Sequence, residues 1–397
     1  MRGHITRRAK DSYTIVVNLG ADPETGKRRQ QWVTVRGTKK DAERRLSELL
    51  NQLDSGTFVK PRKITVGGYL QQWLADYAEL HCSPKTIESY RQVINSHLMP
   101  ELGNIRLVEL EARHLQAMFA KKRDSGLSAR TVRYLYSLMC QVLSYALRQG
   151  ILSRNVAQNT EPPKMEHGEL NTIRPEQINI LLEAARETPH YAVFYLLLHT
   201  GLRRGEALGL RWKNIDMGLA SLGVQAYLSV TVSLSKVAGK TYIGEPKTSS
   251  GKRRVALPPS LTLVLQQHKV KQQESFALLG KTLTDEDYVF CHHDGTPLDP
   301  STVSHSFAHV LRKAGLPPMP LHGLRHSHAT LLLQAGTQPR VVMERLGHSS
   351  IRVTLDTYRH VVGGLQESAA QRFDDFLEAK NQSVSNPLAK SQNLESG

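Results

Sequence analysis

The alternation of hydrophobic and polar residues near the start of the chain predicts a small sheet. In SYTIVVNL every second residue from Tyr13 to Leu19 is apolar, and a second alternating run, QQWVTVR, follows the turn-rich GADPETGK. Thr38, with Asp41 three residues later, is a variant of a helix capping box. The helix behind it has an apolar stripe of Ala42, Leu46, Leu49, Leu50 and Leu53. We therefore expect a small α+β domain over residues 1–60, with a three-stranded sheet and one helix.

From about residue 64 the pattern becomes helical throughout. Ser83 and Pro84 form an N-cap and first-turn pair, and Ser128 begins a second capped segment. The second segment has a predicted buried stripe of Val132, Leu135, Met139, Val142, Leu143, Ala146 and Leu147. We expect an all-α bundle of about four helices over residues 64–157.

The remaining chain predicts a linker, a third domain and a tail. QNTEPPKMEHGELN contains two prolines and little periodicity, which indicates an interdomain linker over residues 158–171. Residues 172–380 predict a mixed, mainly helical domain with a small antiparallel sheet. It begins with a helix at Pro175 and has a strand-turn-strand around KTSSGKRRVAL. The polar residues 381–397 predict a disordered tail.

Length and composition agree with several globular domains. The chain has 397 residues, 40% of them hydrophobic and 22% charged, and two or three cores are usual for that length. Apolar runs such as AVFYLLL are far shorter than the roughly 20 residues that span a bilayer. The basic N-terminus is not followed by a hydrophobic signal region. Three widely spaced cysteines predict reduced thiols, so we expect a cytoplasmic protein.

The formal charge of +16 favours an anionic partner, either nucleic acid or an acidic membrane surface. Residues 1–45 hold twelve Lys and Arg against five Asp and Glu, so the first domain is a basic module. A DNA-reading role fits it, although a basic domain without a specific target remains an alternative. Candidate DNA contacts across the first two domains are Arg28, Arg29, Arg36, Lys39, Lys85, Arg91, Lys121, Arg130 and Arg133. Bases spread over a helical surface are also often merely solvated.

The stretch LHGLRHSHAT concentrates three histidines and an arginine. His322 and His326 are four residues apart and could bind zinc on a helix, but neither HExxH nor CxxC accompanies them. His328 shares a face with Leu331 and Leu332, which favours a buried structural role. We expect no metal ion. A nucleotide site is not expected either, because Leu234 stands where a phosphate-binding loop ending at Gly239 requires glycine.

Four segments together carry a resemblance to a known family. These segments are HTGLRRGEALGLRW, PKTSSGKRRVALP, LHGLRHSHAT and ERLGHSSIRVTLDTYRHV. In this order they resemble the catalytic domain of the tyrosine recombinases, the phage integrase family. The two preceding domains resemble the arm-binding and SAM-like core-binding domains of phage and conjugative-element integrases. The resemblance implies the fold class of a multidomain protein with a catalytic domain over residues 172–380.

Elementary chemistry agrees with this resemblance. Cleaving a phosphodiester without a metal requires cations beside the non-bridging oxygens, and the planar fork of arginine suits that task. Arg203 follows a Thr-Gly turn at an expected helix start, and Arg325 lies three residues after His322, on the same helical face. Glu206 lies three residues after Arg203 and is expected to orient that arginine or a histidine. A structural Arg-Glu pair remains the alternative.

The resemblance assigns the remaining roles. His322 and His348 would assist proton transfer or hydrogen-bond the phosphate, Lys247 would protonate the leaving 5′ oxygen, and Tyr358 would form a 3′-phosphotyrosyl bond. The covalent bond conserves the energy of the cleaved one, so no cofactor and no ATP are expected. Pro246 before Lys247 stiffens the expected hairpin and removes no functional group.

The family implies a site-specific recombinase that integrates and excises a mobile element. It would act as a homotetramer at core-type and arm-type DNA attachment sites, through a branched four-way intermediate. A directionality factor and a DNA-bending host protein are further expected partners. The alternatives are a type IB topoisomerase and a DNA-binding regulator that has lost the reaction. An apolar stripe after the nucleophile would dock on a neighbouring protomer or in its own chain and contains Leu365, Ala369, Phe373, Phe376 and Leu377.

Overall fold

A computed structural model of the chain forms two compact units, residues 1–167 and 168–397. The structure describes residues 3–21, 26, 28–54, 63–165, 171–218, 223–246, 249–350, 370–371, 373–375 and 377–378. The unit boundary falls within the segment that the prolines and weak periodicity of the sequence indicate as a linker.

The first unit begins with the three-stranded sheet and helix that the alternation predicted. Three antiparallel strands pair in their order along the chain, and one helix covers a face of the sheet. Their bounds are β1 Gly3–Ala9, β2 Ser12–Ala21, β3 Arg28–Arg36 and α1 Lys39–Asp54. Ile15 and Val17 pack with Leu49 of α1. The predicted capping box is present, because the Thr38 N–H donates to the Asp41 carboxylate (2.9 Å) and the Asp41 N–H to the Thr38 hydroxyl (3.3 Å).

The rest of the first unit is the helical bundle. Its long helices are the continuous segments 66–81, 84–102, 112–124 and 129–148. The elements are α2 Val66–Trp73, α3 Glu79–His81, α4 Pro84–Val93, α5 Met99–Leu102, α6 Ala112–Asp124 and α7 Ala129–Arg148. π-Helical turns at Leu74–Ala78 and Ile94–Leu98 interrupt the first two segments.

The predicted caps Ser83 and Ser128 are confirmed, since each hydroxyl accepts from the N–H three residues later. The stripe predicted for α7 is buried as far as Ala146. The prediction was wrong for Leu147, which is exposed. The 3.6-residue period turns this last position away from the core.

The second unit is mainly helical, with two small antiparallel sheets. Its helices are α8 Pro175–Arg186, α9 Tyr191–Thr200, α10 Arg204–Leu208, α11 Pro259–Leu278, α12 Pro300–Lys313, α13 Gly323–Gln334 and α14 Pro339–Leu346. Its strands are β4 Ile215–Asp216, β5 Tyr227–Val230, β6 Ser233–Val237, β7 Lys240–Gly244 and β8 Arg253–Ala256. The helix start predicted at Pro175 is present. The core includes residues of α8, α9, α11 and α12.

The strand pairing differs from the hairpin expected around KTSSGKRRVAL. β7 pairs with β6, whereas β8 pairs with β5 in the sheet of order β4-β5-β8. The two strands that flank the expected turn therefore belong to different sheets. A single helical turn, Ser249–Gly251, lies between them. Within the described residues, no helix is long and apolar enough to cross a membrane.

Candidate active site

Arg203 lies where a tight turn enters a short helix. It is the N-cap residue of α10, and its own N–H donates to the Glu206 carboxylate (2.9 Å). Its guanidinium donates to Glu206 Oε1 (2.7 Å) and to the main-chain oxygen of Gly347 (3.2 Å). The side chain is 39% exposed, so it reaches solvent while two hydrogen bonds orient its guanidinium.

Glu206 is buried, with 2% of its surface exposed, and it is shared between two arginines. Besides Arg203, it accepts from the Arg253 guanidinium, at 3.3 Å on Oε1 and 2.9 Å on Oε2. Burial raises the pKa of Glu206, but the hydrogen bonds and charge of Arg253 and the bonds from Arg203 outweigh it, so the pKa lies below its ordinary value. The carboxylate is therefore ionised at neutral pH.

Arg325 is buried, with 3% exposed, in the first turn of α13. Its guanidinium donates to the main-chain oxygens of Gly201 (2.7 Å) and Leu346 (2.7 Å). These two bonds join the turn before Arg203 to the end of α14. The arginine thus has a fixed orientation from main-chain acceptors on two separate segments.

Two glycines permit this close approach of segments. Gly201 (φ 65°) and Gly347 (φ 67°) both have left-handed backbones at helix C-termini. A Cβ at Gly201 would lie 2.6 Å from Leu346 and 2.7 Å from His328, and one at Gly347 would lie 2.8 Å from the Ser250 oxygen. Only glycine fits at either position without displacement of a neighbour.

His322 and His348 complete the cluster and are neutral at pH 7. His322 is the N-cap residue of α13, and its ring lies edge-on to that of His326. Desolvation first, and then the charges of His326, Arg325 and Arg203, lower the pKa of His322 to about 4. The pKa of His348 is also lowered to about 4, by desolvation first and then by Arg325 and Arg203. Cations crowd both rings, so this site is electropositive before any anion arrives.

His328 has the structural role that its apolar neighbours predicted. The buried ring bonds through Nδ1 to the Leu198 oxygen (2.8 Å), and its Nε2 accepts from Arg345 Nε (3.0 Å). Burial and the charge of Arg345 lower the pKa of His328 to about 3. Arg345 also donates to the His199 oxygen (3.0 Å) and so attaches α14 to α9.

The structure brings five sequence-predicted site residues into one cluster. These are Arg203, Glu206, His322, Arg325 and His348. Lys247, Tyr358 and the side chain of Arg29 lie outside the described residues. The other candidate DNA contacts are all exposed: Arg28, Arg36, Lys39, Lys85, Arg91, Lys121, Arg130 and Arg133. Several of the latter also form surface ion pairs, such as Lys121 with Glu101 (2.9 Å).

Sequence reasoning missed Arg253 and Arg345. Arg253 lies two residues before the buried Val255 on β8, so strand alternation could have placed its side chain inward. Arg345 carried no such signal, because its partner His328 lies on another helix. Within the described part of the chain, no group of three His, Cys, Asp or Glu residues is placed to hold a metal ion.

Comparisons with known proteins agree with this geometry. Residues 171–363 match the phage integrase family, and residues 65–122 match the SAM-like N-terminal domain of phage integrases. A XerC-like tyrosine recombinase of Caldanaerobacter subterraneus subsp. tengcongensis is 29% identical over 94% of this chain and 98% of its own length. The ICEBs1 integrase of Bacillus subtilis is 27% identical over 92% and 97%.

A solved structure supports the same fold. A lambda integrase tetramer bound to a Holliday junction matches 87% of this chain and 95% of its own with a TM-score of 0.56, at 20% identity. The similarity therefore extends beyond the cluster to most of both units. Together with the ordered arginine and histidine motifs, these matches identify the chain as a member of the phage integrase family, the tyrosine recombinases.

Proposed function

We propose that this recombinase is a site-specific integrase that inserts and excises a mobile DNA element through a 3′-phosphotyrosyl intermediate. The observation that carries the proposal is the electropositive cluster around Arg203 and Arg325. Both guanidinium groups are oriented by hydrogen bonds to protein acceptors. Such preorganised donors stabilise the charge that develops on a phosphate during cleavage.

The cluster suits the two stages of phosphoryl transfer. Arg203 and Arg325 would bind the non-bridging oxygens, and the neutral rings of His322 and His348 can donate or accept a proton beside them. The negative charge of a bound phosphate favours protonated histidine and so raises the pKa of both rings toward neutrality. Histidines with such a pKa serve as proton donors at physiological pH.

Lys247 and Tyr358 are proposed as general acid and nucleophile. Both roles come from the family motif, and both residues lie outside the described part of the chain. In the sequence, Lys247 lies three residues after the end of β7 and two before the Ser249–Gly251 turn, whose last carbonyl Arg253 contacts. Tyr358 follows His348 by ten residues. A phenol with an ordinary pKa of about 10 needs nearby positive charge for activation, which the arginines would provide.

The reaction is proposed to need neither ATP nor a metal ion. The phosphotyrosyl bond retains the energy of the phosphodiester, and the free 5′ hydroxyl of a second strand attacks it to restore a phosphodiester and the tyrosine. The arginines would supply the positive charge that a metal ion supplies in metal-dependent nucleases. Full cleavage in excess EDTA is the expected result.

The bundle is proposed to bind core-type DNA and the basic first domain to bind arm-type DNA. Exchange between two duplexes cleaves four strands in total, which requires four protomers. The lambda integrase tetramer on a Holliday junction supports this stoichiometry by similarity. We extend the proposal to a directionality factor and a DNA-bending host protein as accessory partners.

Covalent capture tests the proposed reaction. The protein is mixed with fragmented host and element DNA and quenched in detergent, and the DNA that stays attached to protein is sequenced. We expect one recurring sequence with the native protein and none with Tyr358→Phe. Tyr242→Phe, at an exposed tyrosine on β7, is the matched control and should retain capture.

The other outcomes separate the alternatives. Broad capture without a preferred sequence would indicate a topoisomerase-like activity. Sequence-specific binding by footprinting, with no covalent complex from the native protein, would indicate a DNA-binding regulator. Capture that persists in Tyr358→Phe would contradict the assigned nucleophile.

A further inference from the structure

Arg253 stands apart from the other basic residues of its loop. Only 7% of its side chain is exposed, although it begins a strand at the surface. Its neighbour Arg254 is exposed and lies over the Tyr227 ring at 4.6 Å. Two adjacent arginines thus have opposite surroundings, one facing the active-site cluster and the other facing solvent.

The guanidinium of Arg253 connects three segments. It forms a bidentate pair with Glu206, donates through Nε to the Arg345 oxygen (2.7 Å), and donates to the Gly251 oxygen (3.1 Å). Gly251 ends the turn that follows Lys247. Arg345 lies near the end of α14, two residues before Gly347, to which Arg203 donates. A planar group with five N–H donors can make such a junction, which an ammonium group cannot.

Glu206 links Arg253 to Arg203 by hydrogen bonds. The carboxylate accepts two bonds from Arg253 and two from Arg203, one of them from the Arg203 main chain. Arg203 is the more exposed partner, at the open side of the pair. Because two arginines share one carboxylate, the three side chains together have a net positive charge, which attracts an incoming phosphate to Arg203. A Glu206–Arg203 pair alone would be neutral overall.

We propose that Arg253 is a positioning residue for DNA cleavage, which fixes Glu206 and thereby aims the Arg203 guanidinium at the scissile phosphate. This inference rests on the proposed recombinase reaction. Arg253 itself is not a catalytic residue, because its bonds are to protein groups and its side chain is buried, whereas that of Arg203 is partly exposed. Nothing in the four family motifs distinguishes it from the other bases of the loop.

Several charged groups surround the carboxylate and shape its titration. Arg203 and Arg253 contact it directly, and His322 at the start of α13 interacts with it electrostatically. The charge of Arg325 lowers the pKa of His322, and the charge of Arg253 lowers the pKa of His348. Of the two contacting arginines, Arg253 contributes the larger lowering of the Glu206 pKa. Its loss should raise that pKa, because burial then acts against a weaker opposing charge.

The test uses the full-length protein and a nicked duplex that carries the sequence recovered by covalent capture. Single-turnover cleavage is measured against DNA concentration and pH for Arg253→Gln, Arg253→Lys and the matched control Arg254→Gln. We expect Arg253→Gln to lower the rate at saturating DNA by about 10- to 100-fold at pH 6.5. The half-saturating DNA concentration should change by less than about threefold, because phosphate binding in the ground state is largely retained.

The pH profile separates positioning from a general loss of structure. In Arg253→Gln the rate should rise with pH as Glu206 ionises, and this dependence should disappear in Arg253→Gln/Glu206→Gln. Arg253→Lys restores the positive charge without the planar guanidinium, so its rate should lie between those of the native protein and Arg253→Gln. Its pH profile should return toward that of the native protein. Arg254→Gln should cleave at the native rate at saturating DNA.

Two results would overturn the inference. One is an Arg253→Gln rate within about twofold of native at every pH. The other is a uniform loss that lysine does not rescue and that Arg254→Gln reproduces. If Arg253→Gln does not fold, the rate and profile of Arg253→Lys decide the question. Failure of the native protein to form a covalent complex would instead reject the proposed function, so the two failures are distinguishable.

Discussion

The helical bundle and the active-site cluster differ in where their charged side chains lie. In the bundle, ion pairs such as Arg91 with Glu79 lie at the surface, with both side chains 55% exposed. In the second unit, the charged side chains of Glu206, Arg253 and Arg325 are buried. The bundle core instead consists of apolar and aromatic side chains, among them Trp73.

This difference separates stability from function. Exposed pairs contribute little to stability because water already solvates both partners. Buried charges lower stability unless they are fully paired, and the cluster pairs them through main-chain oxygens and one carboxylate. The comparison predicts that changes in the bundle affect folding and changes in the cluster affect chemistry.

The largest effect is expected for Arg325→Ala. Loss of one preorganised donor should lower the cleavage rate by about 100- to 1000-fold. The oxygens of Gly201 and Leu346 also lose their donors, which should destabilise the fold by about 1–3 kcal/mol. Single-turnover cleavage and urea unfolding measure the two effects. Arg325→Lys should keep the charge but lose one of the two bonds, and native activity in that variant would contradict the assigned geometry.

Leu135→Ala should give the converse result in the bundle. Leu135 is fully buried on α7, and truncation of such a residue lowers the free energy of unfolding by about 3 kcal/mol. At saturating DNA and below the melting transition, cleavage should proceed at the native rate. A rate that falls with Leu135→Ala would mean that the bundle shapes the chemical step, against the comparison.

A smaller effect is expected from the protonation of His328. Its pKa of about 3, lowered by burial and Arg345, is below that of the unfolded chain, near 6.5. The stabilisation is therefore complete above pH 6.5 and is lost as pH falls toward 3. Between pH 6.5 and 5 the loss should be about 2 kcal/mol.

Hydrogen exchange over α13 can measure this loss. Protection in the native protein should fall between pH 6.5 and 5, after correction for intrinsic exchange. His328→Gln offers an amide donor and acceptor that do not titrate, so its protection should change less over the same range. Equal changes in both proteins would assign the pH dependence to other groups.

The smallest effect on stability is expected for Lys85→Gln. Lys85 pairs with Glu88 at 2.6 Å, and its side chain is 60% exposed, so the free energy of unfolding should change by less than about 0.5 kcal/mol. If Lys85 contacts a DNA phosphate, the slope of log affinity against log salt should decrease by about one unit. An unchanged slope would remove Lys85 from the proposed interface.

Local signals in the sequence predicted much of the fold. The Thr38–Asp41 box and the caps at Ser83 and Ser128 all depend on contacts within three residues, and all are present. The strand alternation of the first domain likewise predicted its sheet. Such features need no knowledge of distant partners, because capping and periodicity are properties of one segment.

Contacts between distant segments were the part that sequence could not supply. The Arg253–Glu206 pair joins residues 47 positions apart, and β8 pairs with β5 rather than with the nearer β7. Motif order placed Arg203, His322 and Arg325 in one site but gave no reason to include Arg253. The roles of Lys247 and Tyr358 stay predictions from the family motif.

The way in which the arginines are anchored has a consequence for how this protein can evolve. Arg203, Arg253 and Arg325 are held largely by main-chain oxygens. The acceptors are those of Gly201, Gly251, Arg345, Leu346 and Gly347. Every amino acid carries the same oxygen. Apart from Glu206, side chains around the site can therefore diverge, where the backbone path permits, while the orientation of the cations is inherited unchanged.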